Sequence, residues 1–162
     1  MQKILPQLIG FYLNLLAYIA PQKAGKLGFR VFCYPARVKM TARQRQFLQS
    51  ARHFTIPYNK EAIQGYKWGN GPVNILLLHG WQSHTYRWKR YIEAIDKSHY
   101  TLYALDAPGH GLSSGSFMTV PLYSAIIVKA IEHIGKSTYR DRSLPGQFYS
   151  HIHLPYTTPV IA

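Results

Sequence analysis

The stretch Val73–Trp81, V-N-I-L-L-L-H-G-W, limits the fold more than any other part of the chain. Asn74 aside, it is a continuous apolar run of strand length, and His-Gly ends it sharply. Such a run suits a strand covered on both faces within a mostly parallel sheet. The expected class is therefore α/β.

The residues that follow agree. Trp88, Ile92 and Ile95 recur at i, i+4 and i+7, which predicts an amphipathic helix with Ser83 available as its N-cap. Tyr100–Leu105 is a second strand-like run, and it opens into D-A-P-G-H-G-L-S-S-G from Asp106 to Gly115. Strand, helix, strand is a βαβ unit, and open α/β sheets bind ligands outside the carboxyl ends of their strands. The His-Gly turn and the Asp106 loop are thus expected to line one crevice.

At these residues the chain resembles the α/β-hydrolase family. That family places a His-Gly-x turn after its third strand and a D-x-x-G-x-G-x-S loop after its fourth; here they read His79-Gly80-Trp81 and Asp106 to Ser113. The resemblance implies the N-terminal portion of such a sheet: about four strands, mostly parallel after a first hairpin, with flanking helices. It covers about Phe54 to Gly135.

At 162 residues, 47% of them hydrophobic, the chain can bury one domain's core. Complete domains of this kind run to roughly 250 residues, so the chain reads as short. Its formal charge is +13, with 19 Lys and Arg against 6 Asp and Glu. The basic residues are spread along the chain without a nucleic-acid-binding motif, so a solvated basic surface is expected and no nucleic-acid partner. The single cysteine, Cys33, allows no intramolecular disulfide and suits a reducing compartment as a small buried apolar residue. A cytoplasmic location follows.

Ile4–Ala20 is apolar, with Lys3, Gln7, Gly10 and Asn14 forming one narrow polar stripe. It predicts an amphipathic helix interrupted early by Pro6 and ended by Pro21. It does not read as a signal peptide or a spanning helix. Two placements stay open: packed on the domain, or lying in a membrane interface with Lys23, Lys26 and Arg30 at anionic headgroups, which would make the protein peripheral to the membrane. Lys23–Pro35 reads as a mixed segment and Thr41–Arg52 as a short basic helix. Phe54–Tyr58 and Glu61–Trp68 alternate like edge strands, and Gly69-Asn70-Gly71-Pro72 is a turn. After the Asp106 loop, Pro121 can start a helix whose apolar face is Tyr123, Ile126, Ile127, Ala130, Ile131 and Ile134, with Gly135 as its cap. The organisation expected is a helix and basic segment over 1–51, a partial hydrolase domain over 52–136, and a non-native or disordered tail over 137–162.

The tail breaks the family's pattern. A fifth strand ending in G-x-S-x-G is due after the helix. Ser143 instead lies in Arg-Ser-Leu-Pro-Gly and cannot form that elbow. Permitted codons for Ser137 to Phe148, read one base later, give V-H-T-V-I-G-H-S-L-G-S, a strand ending in the missing motif. With Lys136 as AAA, the junction is a run of A in which one extra base can slip in. The expectation is a frameshifted or truncated hydrolase, native through about Lys136. His151-x-His153 has metal-ligand spacing but no Cys or acidic partner nearby, and no phosphate-binding loop motif is present.

By resemblance, the parent chemistry is hydrolysis of an ester, thioester or amide of a small-molecule acyl substrate by a serine, with no cofactor or metal. Nucleophile, acid and base all fall beyond Lys136, which predicts an inactive chain. What the sequence supplies is half an oxyanion hole: the backbone N–H of Trp81, with Gly80 allowing close approach. His79, Asp106 and His110 are expected to shape the crevice, His110 by supporting the oxyanion turn. A non-catalytic membrane-surface or protein-interaction role through the N-terminal helix is the alternative.

Overall fold

A computed structural model describes residues 4–141 and 160–161. Its helices are α1 (Ile4–Ile19), α2 (Pro21–Phe32), α3 (Ala42–Leu48), α4 (Lys89–Ala94) and α5 (Val120–Asp141). The strands are β1 (Arg52–Tyr58), β2 (Glu61–Trp68), β3 (Val73–Leu78), β4 (Tyr100–Leu105) and the two-residue β5 (Val160–Ile161). They form one mixed sheet in the order β1-β2-β4-β3-β5. The first two strands make an antiparallel hairpin, β2 runs antiparallel to β4, and β3 and β4 are parallel. This is the α/β class that the apolar runs predict.

Both faces of the central strands are covered, and that is why β3 and β4 read as unbroken apolar runs. Leu76, Leu78, Tyr103 and Leu105 pack with Ile126, Ala130 and Ile134 of α5 on one face. Ile75, Leu77, Leu102 and Ala104 pack with Leu48 of α3, Trp88 and Ile92 on the other. Each fully buried aliphatic side chain contributes about 1.5–3 kcal/mol relative to exposure. The two-residue period divides the same strand between two cores.

Several local expectations change. Lys23–Pro35 is mostly helical, since Pro21 both follows α1 and occupies the first turn of α2. Pro6 lies in the first turn of α1 and interrupts nothing, because the N–H it lacks would have no helical partner there. Ser83 is not the N-cap before Trp88: a 3-10 turn, Thr85–Trp88, precedes α4, and the Thr85 N–H is capped instead by Asp106, 2.8 Å away. Gly135 does not end α5, which runs on to Asp141. Thr41 does cap α3, in a reciprocal box with Gln44. Ser143, His151 and His153 lie outside the described residues, and of the tail only its start in α5 and the pairing of Val160–Ile161 beside Leu76 and Leu77 are described.

Candidate active site

The site follows from register. Val73 lies opposite Tyr100 and Leu78 opposite Leu105, so β3 and β4 end at the same level. His79 and Asp106, the next residue of each strand, therefore emerge side by side at the carboxyl edge.

Asp106 is fully buried and organises both loops. Its Oδ1 accepts from the Thr85 N–H and hydroxyl, both at 2.8 Å. Its Oδ2 accepts from the Tyr66 hydroxyl at 2.8 Å and the Leu112 N–H at 2.9 Å. Four donors replace the water that the carboxylate loses, which makes a buried negative charge tolerable. Burial and that charge push the Tyr66 phenol pKa far up, so it stays a donor. Gly111 closes the loop around the carboxylate with a φ of +48°, and a Cβ there would stand 2.0 Å from Asp106 Oδ2. Only glycine fits.

The two histidines are braces. His79 Nδ1 donates to the Gly80 carbonyl at 2.8 Å, and its Nε2 accepts the Ala107 N–H at 3.0 Å. His110 Nδ1 donates to the Pro108 carbonyl at 2.8 Å, and its Nε2 accepts the Gln82 N–H at 3.0 Å. Each pattern fixes a neutral ring with one N–H. Burial, the main cause, lowers both pKa values from the ordinary imidazole range. The 3.8 Å approach of His79 Nε2 to Asp106 is thus not an ion pair, since that nitrogen is already an acceptor.

Between these braces lies the turn Gly80-Trp81-Gln82. Gln82 sits at φ +48°, a left-handed conformation that an L residue adopts at a cost of about 1–2 kcal/mol. Its hydrogen bond to His110 helps hold it there. Among the described residues the Trp81 N–H meets no acceptor, and a Cβ on Gly80 would meet nothing within 4 Å. No described residue covers Gly80. Gly80 is therefore not required by packing within the described chain.

Three partners of the crevice escape a sequence reading. Phe32, the last residue of α2, stacks on the Trp81 ring at 4.7 Å between centres and 4° between planes. The Trp81 ring also meets His110 edge to face, 5.5 Å between centres. Arg37 donates to the carbonyls of Gly111 and Gly115 at 2.7 and 3.0 Å, and the Met118 N–H bonds to the Cys33 carbonyl at 2.8 Å. These contacts cross long sequence separations, where no local motif signals them. Tyr66 and Thr85 were hidden likewise.

Among the described residues no serine in the crevice is poised as a nucleophile. Ser113 Oγ is buried between the Gln64 N–H and the Asp106 carbonyl, and Ser114 Oγ is engaged by Ala62 and Glu61. Asp96, Ser98 and His99 make an exposed Ser-His-Asp cluster at the turn before β4, but Asp96 and Ser98 both contact Nδ1 of the histidine, at 2.7 and 3.1 Å. A working triad uses opposite ring nitrogens. The Ser98 N–H, with His99 and the Ser98 hydroxyl, holds the Asp96 pKa down at about 2, as in an ordinary side-chain-capped turn. No three His, Cys, Asp or Glu among the described residues converge as a metal site.

A family model described as serine aminopeptidase S33, a hydrolase family, matches residues 73–151, which include both loops. A pimeloyl-[acyl-carrier protein] methyl ester esterase of Hamiltonella defensa subsp. Acyrthosiphon pisum (strain 5AT) is 33% identical over 98 residues, 60% of this chain and 37% of that protein. The corresponding esterase of Proteus mirabilis (strain HI4320) is 40% identical over 47 residues, 29% of this chain and 18% of that protein. A candidate lipase (lip1) from Acinetobacter baumannii AYE, 17% identical, superposes with a TM-score of 0.50 over 61% of this chain and 36% of that one, a likeness of fold. Residues 73–151 thus resemble a serine hydrolase family in sequence, and the sheet has the α/β fold of such enzymes. The chain spans little more than a third of the Hamiltonella relative and less of the other.

Proposed function

We propose that the parent activity is hydrolysis of an ester, thioester or amide bond in a small acyl compound, with Trp81 and Gly80 supplying part of the oxyanion hole. The observation that carries this is the Trp81 N–H: without an acceptor among the described residues, at the carboxyl end of β3, on a turn braced by His110. An N–H held in place before reaction stabilises charge on a carbonyl oxygen without reorganising as the charge develops. Similarity to two methyl ester esterases supports an acyl ester as substrate.

In the proposed reaction a serine oxygen attacks the acyl carbon while a histidine takes its proton. The carbonyl electrons move onto the oxygen facing Trp81 and then return, expelling the alcohol, thiol or amine, which leaves with the histidine's proton. Water repeats the cycle on the acyl-serine and frees the acid. His79, Asp106 and His110 hold the loops and exchange no proton. The serine is the one in the shifted Gly-His-Ser-Leu-Gly, and the chain as written is inactive.

The test is to resequence the gene across Ile134 to Phe148 and express both versions against a fluorophosphonate probe. Labelling only after one base is removed, in a frame that continues to an Asp or Glu and a His, is the expected outcome. A gene that reads as written, or a written chain that is labelled, would overturn the proposal. A second reading, a non-catalytic role at a membrane or protein surface, is favoured by one observation: α1 buries none of its residues.

A further inference from the structure

The α1–α2 hairpin carries two apolar surfaces where one would suffice for folding. Ile9, Leu13 and Leu16 form the half-buried stripe of α1; Leu13 lies against Gly28 of α2, and Ile9 and Leu13 line one groove with Leu27. A second stripe, Ile4, Leu8, Phe11, Leu15 and Tyr18, recurs at alternating spacings of four and three and faces outward; Phe11 is 70% exposed and Tyr18 95%. An apolar cavity of about 280 Å³ opens between the helices, lined by Leu8, Tyr12, Leu27 and Val31 among others.

Charge lies next to this surface. On α2, Lys23, Lys26 and Arg30 each immediately precede one of Ala24, which is buried, and Leu27 and Val31, which line the groove. They therefore form a cationic row about 100° around the helix from the α1 contact, flanking the apolar groove on the side that Leu8 and Tyr12 also line. Phe32 leaves α2 on the other side, where its stack on Trp81 ties the hairpin to the domain. Residues 1–60 hold ten Lys and Arg and no Asp or Glu.

We infer that this face docks on an anionic lipid bilayer, with the α1 stripe entering the acyl boundary and Lys23, Lys26 and Arg30 at the headgroups. An apolar stripe beside a cationic row suits that interface, where water ends and negative charge begins. A second copy of the chain is the poorer occupant, because pairing would bring two acid-free, strongly basic segments together. No helix among the described residues is long and apolar enough to cross a membrane, so the hairpin lies in the interface. The inference commits the second reading above to one partner, and it holds with or without hydrolysis.

Vesicle flotation of the full chain tests it, since aggregates stay at the bottom of the gradient. Vesicles with about 30 mol% phosphatidylserine should carry the protein up, and pure phosphatidylcholine at least about tenfold less. Raising salt from about 0.1 to 0.5 M should weaken binding several-fold. Lys23→Glu, Lys26→Glu and Arg30→Glu combined, and separately Phe11→Ser with Leu15→Ser, should each lower partition about tenfold; these side chains are exposed, and circular dichroism checks that each variant keeps its helices. Phe11→Trp provides a direct reading through quenching by brominated acyl chains. Flotation indifferent to lipid charge, an unquenched Trp at position 11, or a dimer that excludes vesicles would each overturn the inference. None of these readouts depends on activity, so failure here is separable from failure of the hydrolase proposal.

Discussion

His79 and His110 stand 5.3 Å apart, ring centre to ring centre, and each holds the loop to which the other belongs. His79, after β3, accepts from Ala107 in the β4 loop; His110, in that loop, accepts from Gln82 in the β3 turn. Both bonds require an unprotonated Nε2. Because burial lowers both pKa values from the ordinary 6.5, the unfolded chain takes up protons first as pH falls. Their contribution is full above about pH 6.5 and is lost as pH drops through the folded values. A thermal midpoint that declines below about pH 6.5, and declines less in His110→Gln, is the expected outcome of a melting series. A flat profile there would remove the neutral braces.

Asp106 sets a larger cost. Replacing it with Ala strands the Thr85 and Leu112 N–H groups and the Tyr66 hydroxyl, each at about 1–3 kcal/mol. Against a total stability of about 5–15 kcal/mol, that is enough to unfold the domain. Asp106→Asn keeps an acceptor for Thr85 but turns an amide N–H₂ toward Leu112, and should be intermediate. Urea unfolding of the two variants gives the order; equal midpoints would contradict it.

Gly111→Ala should resemble Asp106→Ala more than an ordinary surface change. The added methyl would overlap the carboxylate at 2.0 Å, on a residue whose φ of +48° already disfavours alanine. Gly80→Ala, whose added methyl would meet none of the described residues, should leave the melting temperature within about a degree or two. Parallel thermal melts decide between the two.

Phe32→Ala removes the ring stacked on Trp81, a pair contributing about 0.5–1.5 kcal/mol beyond its buried area. Near-ultraviolet circular dichroism should lose a tryptophan band while the far-ultraviolet spectrum stays unchanged. A change confined to the far ultraviolet would mean that Phe32 supports α2 rather than the turn.

What the sequence revealed and what it hid divide along physical lines. β3 and β4 were legible because coverage on both faces leaves an unbroken apolar run, and the two loops because their glycines and prolines mark turns. In α2, two glycines and three cations dilute the helical signal, and Pro21 reads as a stop although it is equally a start. Ser83 obeyed the local capping rule and lost to a carboxylate delivered by the other strand. Gly135 looked like a stop because glycine often is one, yet α5 passes through it. In the site, the matched ends of β3 and β4 bring His79, Gly80, Trp81, Asp106 and His110 to one edge of the sheet. Phe32 and Arg37 have no motif, since their significance comes from what lies across 49 and 74 positions of chain.

Arg37 has a practical consequence for anyone who cuts this chain. With one guanidinium it grips the carbonyls of Gly111 and Gly115, while Cys33, four residues earlier, takes the Met118 N–H. The first forty residues resemble an appendage in composition, and trimming to the sheet would be the natural shortcut for expression. Such a cut would remove the outer clasp of the Asp106 loop. The shortest faithful piece of this domain begins well before its first strand.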